Sequence, residues 1–126
     1  PDAIRIMKAT CPDMLVGAGT VLTTAQVDEV IAAGGEFVVT PGLDVDIVKY
    51  CQEKGIAVFP GCTSATDYHT AYKLGLTVLK FFPAEPFQGA RVLKAYAEVF
   101  PEVRFLPTGG ISPWGRTPTG PASATT

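Results

Sequence analysis

The sequence predicts an α/β protein with a parallel sheet, and two observations support this prediction. Short runs of β-branched and aromatic residues alternate along the chain with stretches whose apolar residues recur at helical spacing. A turn signal rich in Gly, Pro or Thr directly follows most of the short runs. Strands that alternate with single helices form right-handed βαβ crossovers, so the strands lie parallel and the turns gather at the carboxyl edge of the sheet. Active sites of such folds lie at that edge.

Five strands and the helices between them follow from this pattern in chain order. The first predicted element is a helix at residues 2–9. The predicted strands are residues 14–16, 37–39, 56–59, 78–82 and 103–106. Thr23 with Gln26 forms a capping-box pattern, Asp44 and Ser64 are predicted helix caps, and Gly34-Gly35, Gly55 and Gly75 predict helix ends. The predicted inner stripe of the helix before the fourth strand is Ala65, Tyr68, Ala71 and Tyr72.

Composition limits the classes of function. The 126 residues can bury a core, and a net charge of −2 without a basic cluster argues against nucleic-acid and anionic-membrane partners. The sequence has no apolar run near the ~18 residues of a spanning helix and no signal-peptide pattern. Cys11, Cys51 and Cys62 are widely spaced and lack a C-x-x-C. We therefore expect reduced thiols and a cytoplasmic location, without disulfides or a zinc site.

One lysine lies inside the fourth predicted strand, in the run VLKFFP. Side chains of a strand alternate between its faces, so Leu79 and Phe81 share one face while Lys80 and Phe82 share the other. If both faces are covered, Lys80 is enclosed, and burial can lower the pKa of a lysine from about 10.4 by up to 3–5 units. A neutral amine near pH 7 is the nucleophile of Schiff-base chemistry. The competing interpretation is a lysine that extends its ammonium group to water or pairs with an acid.

Five motifs occur in one order along residues 2–113: Gly17-Ala18-Gly19-Thr20-Val21, Pro41-Gly42-Leu43, Phe59-Pro60-Gly61, Lys80-Phe81-Phe82-Pro83-Ala84-Glu85, and Arg104-Phe105 with Pro107-Thr108-Gly109-Gly110-Ile111-Ser112. In residues, order and spacing they resemble the class I 2-keto-3-deoxy-6-phosphogluconate aldolases, which also have 4-hydroxy-2-oxoglutarate aldolase activity. The resemblance implies a partial (β/α)₈ TIM barrel of about five βα units, whose parallel strands look like strands three to seven of the family. It also implies a homo-oligomer, usually a trimer.

The resemblance implies a site as well, residue by residue. A glycine pair after a barrel strand suits an anion, because successive N–H groups can converge on it. The matching residues are Lys80 as the Schiff-base lysine, Thr20 as a substrate contact, Pro41 and Phe82 as pocket walls, and Thr108, Gly109 and Gly110 as the loop near the substrate's carboxylate and phosphate.

The implied reaction begins when the Lys80 amine attacks the C2 ketone of 2-dehydro-3-deoxy-6-phosphogluconate. The resulting iminium draws electrons from the C3–C4 bond, which releases glyceraldehyde 3-phosphate and leaves pyruvate on the lysine. Cleavage of 4-hydroxy-2-oxoglutarate to pyruvate and glyoxylate is a possible second activity. The iminium replaces a Lewis acid, so no cofactor and no metal ion is expected.

The chain departs from the family pattern at both ends. It is shorter than the ~200–250 residues of a (β/α)₈ barrel. A Glu-x-Thr-x-Arg-like motif, which supplies the family's general base and carboxylate-binding arginine, is missing, and so is the last strand. We expect residues 1–113 to form a partial barrel domain and residues 114–126 to be a disordered or non-native tail of a fragment or truncated gene product.

Three other residues have side chains that could take part in catalysis. Glu85 is the carboxylate nearest to Lys80 in the sequence and is a candidate substitute base, although a structural role is the more common one at a strand end. His69 is expected at the surface of a helix. Cys62 lies in a turn near the active edge but has no histidine partner to activate it.

Two other functions stay open. A sugar-phosphate isomerase or synthase on the same barrel would share the anion loop at residues 108–110 but would not need a lysine inside a strand. A non-catalytic half-barrel would act only as an association module, because open sheet edges carry unpaired N–H and C=O groups. A borohydride-reduced adduct of pyruvate on Lys80 would support the aldolase, and an unmodified Lys80 would argue against it.

Overall fold

The computed structural model describes residues 1–111, which contain five helices and six short strands. The tail predicted at residues 114–126, and the predicted domain end at residue 113, lie outside these residues. In the described part, each helix falls short of the length and apolarity needed to cross a bilayer. The helices are α1 Asp2–Thr10, α2 Thr24–Ala32, α3 Val45–Lys54, α4 Ala65–Lys73 and α5 Gly89–Val99. The strands are β1 Gly17–Ala18, β2 Phe37–Val39, β3 Ala57–Phe59, β4 Gly61–Cys62, β5 Val78–Phe81 and β6 Arg104–Pro107.

The first compact unit, Pro1–Pro60, contains a three-stranded parallel sheet in the order β1-β2-β3. In its register, Gly17 lies opposite Phe37, and Phe37 lies opposite Ala57. The core of this unit is apolar, as the helical and strand patterns predict. Its completely buried side chains are Val27, Val38, Val48 and Cys51.

The second unit begins at Gly61 and contains a parallel sheet in the order β4-β5-β6, so β5 is the middle strand. An aromatic cluster packs beside this sheet. The ring of Tyr68 contacts Tyr96 at a centroid distance of 4.8 Å and Phe105 at 5.2 Å, both edge-on. Leu79 and Phe81 of β5 are completely buried. The parallel pairing predicted from the sequence is therefore confirmed in both units.

Two predicted helix caps are confirmed. The Asp44 carboxylate accepts hydrogen bonds from the N–H groups of Asp46 and Ile47 at the start of α3. That helix ends at Gly55, whose φ of 70° lies in the left-handed region that favours glycine. Ser64 caps α4 and accepts a hydrogen bond from the third helical residue.

The predicted capping box at Thr23 is only partly confirmed. The Thr23 hydroxyl accepts a hydrogen bond from the Gln26 N–H, as predicted. The Gln26 side chain, however, accepts its hydrogen bond from the N–H of Leu22 and not from that of Thr23. The hydrogen bonds at the α2 N-terminus therefore reach back to Leu22, one residue before the predicted cap.

The predicted strand boundaries are wrong at several positions. Sheet pairing begins at Gly17 and not at residues 14–16, because the Val16 N–H bonds to the Glu36 carboxylate and Leu15 is 73% exposed. The last strand begins and ends one residue later than predicted. The segment after Pro60, which the sequence indicates as a turn, includes the short strand β4.

The predicted stripe of α4 is also half right. Tyr68 and Ala71 are completely buried, whereas Ala65 is exposed and Tyr72 is 48% exposed. The Tyr72 hydroxyl donates a hydrogen bond to the carboxylate of Glu102 at 3.2 Å, outside the core. A tyrosine at the helical spacing of a core stripe can thus lie outside the core, because its hydroxyl forms a hydrogen bond there.

Candidate active site

Lys80 lies in β5, the middle strand of the second unit's sheet. Burial alternates along this strand as predicted, with Leu79 and Phe81 completely buried and Lys80 half-buried. In the register of the sheet, Lys80 lies between Gly61 of β4 and Leu106 of β6. Because Gly61 has no side chain and Leu106 is 47% exposed, the face of Lys80 is more open than the equally enclosed one expected from the sequence.

Phe82 lies beside the Lys80 amine. Its ring centroid is 4.5 Å from Nζ, within the distance of a cation–π contact. Phe82 directly follows β5, and its peptide bond to Pro83 is cis. The ring is therefore an apolar wall next to the nitrogen at the carboxyl end of the strand.

Hydrogen bonds join the segment that follows Lys80 to the predicted anion loop. The N–H of Thr108 donates to the carbonyl of Phe81 at 2.9 Å. In return, the N–H of Ala84 donates to the Thr108 carbonyl at 2.8 Å, and that of Glu85 donates to the Gly109 carbonyl at 3.0 Å. Pairing between the chain segments of β5 and β6 thus continues beyond both strands, and it brings the predicted loop next to the segment that carries the lysine.

Glycine is required at both loop positions. Gly109 and Gly110 have φ values of 89° and 80°. A Cβ at Gly109 would lie 3.2 Å from the Phe82 ring, and one at Gly110 would overlap the side chain of Glu85. Among residues 1–111, no backbone carbonyl accepts a hydrogen bond from the N–H of either glycine. The loop therefore packs tightly against the segment after Lys80.

The Thr108 hydroxyl is an unusual polar group. Its Oγ1 atom is buried and has no hydrogen-bond partner within the described residues. A buried polar atom without a partner costs about 1–3 kcal/mol and is rare in folded proteins. The described residues therefore leave the hydrogen-bonding capacity of this oxygen unused.

Thr20 belongs to the first unit, where it follows β1 by two residues. Its φ of 57° places a β-branched side chain in the left-handed region, which is a true backbone outlier. The residue is exposed and lines a cavity of about 170 Å³ together with Ala18 and Glu29. Backbone strain of this kind is concentrated at functional sites.

Pro41 also belongs to the first unit and lines a different cavity, of about 280 Å³. The turn that contains it is held by Thr40, whose hydroxyl donates to the Gly42 carbonyl at 2.6 Å. Thr40 is 98% buried, with only 2% of its surface exposed. A structural role of Thr40 was not predicted from the sequence, although a threonine directly before a Pro-Gly turn is a usable signal.

A larger cavity of about 490 Å³ lies in the second unit and contains none of the predicted site residues. Its size alone would favour it as a binding site. The candidate nucleophile Lys80 lies elsewhere, so we place the candidate site at the edge that carries this lysine. His69 is exposed on α4, as predicted. The cavity is lined by His69, Tyr72, Val99, Phe100, Pro101, Glu102 and Val103.

The electrostatics near β4 exclude Cys62 as a nucleophile. Burial, followed by the nearby charge of Asp67, raises the pKa of its thiol to about 12. Burial alone would also raise the pKa of Asp67, but hydrogen bonds from Ser64 and Thr63 outweigh it and lower that pKa. Within residues 1–111, no group of three or more His, Cys, Asp or Glu side chains is placed to hold a metal ion.

Comparisons with known proteins agree on one family. The model of the family described as KDPG and KHG aldolase matches residues 1–117. The KHG/KDPG aldolase of Escherichia coli is 44% identical over 112 residues, which are 89% of this chain and 53% of that protein. The chain therefore spans about half the length of the relatives that it matches.

Solved structures give the same result. The 2-keto-3-deoxy-6-phosphogluconate aldolase of Zymomonas mobilis, solved with 3-phosphoglycerate, matches with a TM-score of 0.85 and 47% identity over 90% of this chain and 54% of that chain. The KDPG aldolase of Legionella pneumophila, with pyruvate captured as a covalent carbinolamine intermediate, has a TM-score of 0.83 and 40% identity over 87% and 53%. These neighbours confirm the predicted fold class, a parallel α/β architecture that forms part of a (β/α)₈ barrel.

Proposed function

Because the chain belongs to the KDPG and KHG aldolase family, we propose that it is a Schiff-base-forming aldolase or a part of one. The substrate would be 2-dehydro-3-deoxy-6-phosphogluconate, with 4-hydroxy-2-oxoglutarate as a second substrate. The observation that carries this proposal is the position of Lys80. Its amine lies beside the Phe82 ring, and the segment that follows its strand is hydrogen-bonded to a loop with an unpartnered buried hydroxyl.

In the proposed reaction, the Lys80 nitrogen adds to the C2 carbonyl and forms a carbinolamine, which loses water to give an iminium. A base removes the proton of the C4 hydroxyl, the C3–C4 bond breaks, and its electron pair moves toward the iminium nitrogen. Glyceraldehyde 3-phosphate leaves, and an enamine stays on the lysine. Protonation at C3 and addition of water then release pyruvate and regenerate the amine.

The other predicted residues take supporting roles in this proposal. Phe82 and Pro41 would be apolar walls of the pocket, and Thr20 would contact the substrate. Thr108, Gly109 and Gly110 would receive an anionic group of the substrate, a role supported by the unpartnered Thr108 hydroxyl. Glu85 is a candidate for the general base, and this role is supported by the hydrogen bond that fixes its backbone to Gly109.

The proposed partners are a small 2-oxo acid and further copies of the chain, as a trimer or another homo-oligomer. We also propose a cytoplasmic location and no nucleic-acid or membrane partner. The location is supported by three cysteines that form no disulfide, two of which are buried.

Reductive trapping tests the function. The full chain is incubated with pyruvate and borohydride, and adducts are assigned to individual lysines by peptide mass spectrometry. We expect an adduct on Lys80, because imine formation is the first step of the reaction, and loss of that adduct in Lys80→Met. Lys94, which is exposed on α5, is the matched control and should stay unmodified under the same conditions.

The possible results test the aldolase against the two alternatives. No adduct on Lys80 in folded protein would refute the aldolase and leave the isomerase or synthase and the non-catalytic association module. An adduct equally strong on Lys94 would show non-specific chemistry and would also count against it. An adduct on Lys80 without cleavage of the six-carbon substrate would indicate a chain that keeps the nucleophile but lacks turnover by itself.

A further inference from the structure

Two tyrosines from different helices hold the end of the strand next to Lys80. The Tyr68 hydroxyl of α4 donates a hydrogen bond to the carbonyl of Cys62 at 3.1 Å. The Tyr96 hydroxyl of α5 donates to the carbonyl of the next residue, Thr63, at 3.2 Å. Consecutive carbonyls at residues 62 and 63 are thus each bound by a phenol.

Backbone N–H groups of the same turn are also held. The Asp67 carboxylate accepts hydrogen bonds from the N–H groups of Thr63 and Ser64, both at 3.0 Å. We call residues 62–64 the β4 turn. Its backbone is fixed by side chains of two helices, which is more than an ordinary strand-to-helix connection requires.

The β4 turn begins beside the candidate nucleophile. Gly61 of β4 pairs with Lys80, and Cys62 pairs with Phe81. Because Gly61 has no side chain, only the backbone of β4 lies opposite Lys80 on that side of β5. We therefore expect movements of the adjoining β4 turn to change the space next to Lys80.

Tyr96 joins this turn to the helix that follows the Lys80 strand. α5 is the next helix after β5 in the chain, and its Tyr96 reaches back to Thr63, 33 residues earlier. The chain from β5 through α5 and back to β4 is thereby closed by one hydrogen bond. Tyr68 cannot be separated from the core in the same way, because its ring is completely buried against Phe105.

We propose that Tyr96 is a positioning residue, whose hydroxyl holds the β4 turn so that the Lys80 amine meets the 2-oxo acid in one geometry. This inference rests on the proposed Schiff-base function of Lys80. Reactions of this type are sensitive to displacements of about 1 Å, which can cost about a hundredfold in rate. Tyr96 is half-buried and keeps its aromatic contacts when only the hydroxyl is removed.

The test compares Tyr96→Phe with Tyr72→Phe in the full chain. Each variant loses one phenol hydroxyl of the same unit that donates at 3.2 Å, but the Tyr72 hydroxyl bonds to Glu102 and not to the β4 turn. The initial rate of adduct formation on Lys80 is measured over a range of pyruvate concentrations with borohydride trapping. We expect a roughly tenfold lower maximal rate in Tyr96→Phe, an unchanged half-saturating pyruvate concentration, and no change in Tyr72→Phe.

A rescue completes the test. Replacement of Tyr96 by p-aminophenylalanine keeps an N–H donor at the same ring position and should restore most of the rate. Equal maximal rates in wild type and Tyr96→Phe would overturn the inference and leave the proposed function intact. An equal loss in Tyr72→Phe, or no recovery with p-aminophenylalanine, would also overturn it. Absence of any Lys80 adduct in the wild-type chain would instead refute the proposed function, and the inference with it.

Discussion

Thr20 is a residue at which stability and function are expected to conflict. Its φ of 57° costs a β-branched residue about 1–3 kcal/mol, whereas glycine adopts this conformation freely. Selection for stability alone would not favour threonine at this position. The strain is therefore an independent argument for the substrate contact that we propose there.

We expect Thr20→Gly to leave the free energy of unfolding unchanged or to raise it by up to about 1 kcal/mol, because relief of strain offsets the greater flexibility of glycine in the unfolded chain. The rate of adduct formation with pyruvate should fall. Urea denaturation and borohydride trapping measure the two effects. Gln88→Gly is the matched control, because Gln88 has a φ of 51° and no predicted role in the site. A loss of stability in Thr20→Gly would contradict the strain argument.

The buried hydroxyl of Thr108 gives a second prediction at this scale. Valine has nearly the same shape as threonine and lacks the unpartnered oxygen, so Thr108→Val should raise the free energy of unfolding by about 1 kcal/mol. If the hydroxyl binds the substrate's anionic group, as we propose, the same variant should need more substrate for half-saturation. Thr108→Ser keeps the oxygen and serves as the control. A destabilised Thr108→Val would show that the hydroxyl has a structural partner.

Motifs identified from the sequence explain only some of the residues near the candidate site. The sequence indicates Lys80 and the loop at residues 108–110, because a charged residue inside an apolar strand and a glycine pair after a strand are local patterns. No role near the site was predicted for Thr40 or Tyr96. Tyr96 acts on a carbonyl 33 residues earlier, and such a contact leaves no periodic trace in the sequence.

At the scale of elements, the N-terminus of α4 contains a full capping box. Ser64 accepts from the N–H of Asp67, and the Asp67 carboxylate accepts from the N–H of Ser64 and that of Thr63. The serine cap was predicted from the sequence but the role of the aspartate was not, because the usual third-position residue of a capping box is Glu or Gln. The shorter side chain makes the same contacts here.

This cap should make the free energy of unfolding depend on pH in the acidic range. The pKa of Asp67 is lower in the folded protein than its ordinary value of 3.8, so the ionised form stabilises the fold. Its contribution is complete above that ordinary value and is lost as the pH falls through the lower, folded pKa. We expect Asp67→Ala to reduce the free energy of unfolding by about 1 kcal/mol at pH 7. The difference from wild type should be much smaller at about pH 2.

Urea denaturation at both pH values measures this effect. Ser64→Ala is the control, because its hydroxyl does not titrate and its cost should persist in acid. If the two variants lost equal stability at both pH values, the carboxylate charge would have no part in the cap.

Element boundaries were less predictable than element types. β1 begins at Gly17 because the N–H of Val16 bonds to the side chain of Glu36. That bond comes from a residue 20 positions away, and local propensity does not report it. The apolar run at residues 14–16 therefore indicated a strand that begins too early.

At the scale of the whole molecule, the main unexplained feature is a set of large apolar side chains that stay exposed in the folded chain. Scattered surface apolar residues are normal, but several large ones here are mostly exposed. Together with the two three-stranded sheets formed by residues 1–111, they favour association. The most exposed large apolar residues in the described part include Leu15 at 73%, Val99 at 67% and Ile6 at 66%.

We therefore expect the chain to sediment as an oligomer at micromolar concentration. Leu15→Lys should weaken this association if the surface that follows α1 takes part, because burial of a charge there would be costly. Sedimentation velocity over a range of protein concentrations measures the oligomeric state of the wild type and of Leu15→Lys. A monomer that melts sharply at every concentration would refute the homo-oligomer proposal while leaving the chemistry of Lys80 untouched.

The order of elements and the parallel pairing were predictable at this largest scale, since alternation of strands and helices determines them. The division of the chain into two compact units after Pro60 was not predictable, because no linker composition marks that position.

The backbone bonds from Ala84 and Glu85 to the loop after β6 have a consequence for protein engineering. In the proposed function, they join the loop that receives the substrate's anionic group to the segment that follows the nucleophile. A designer who reshapes residues 108–110 to accept a different acid should therefore expect the nucleophile to change as well, and should optimise both segments in the same library.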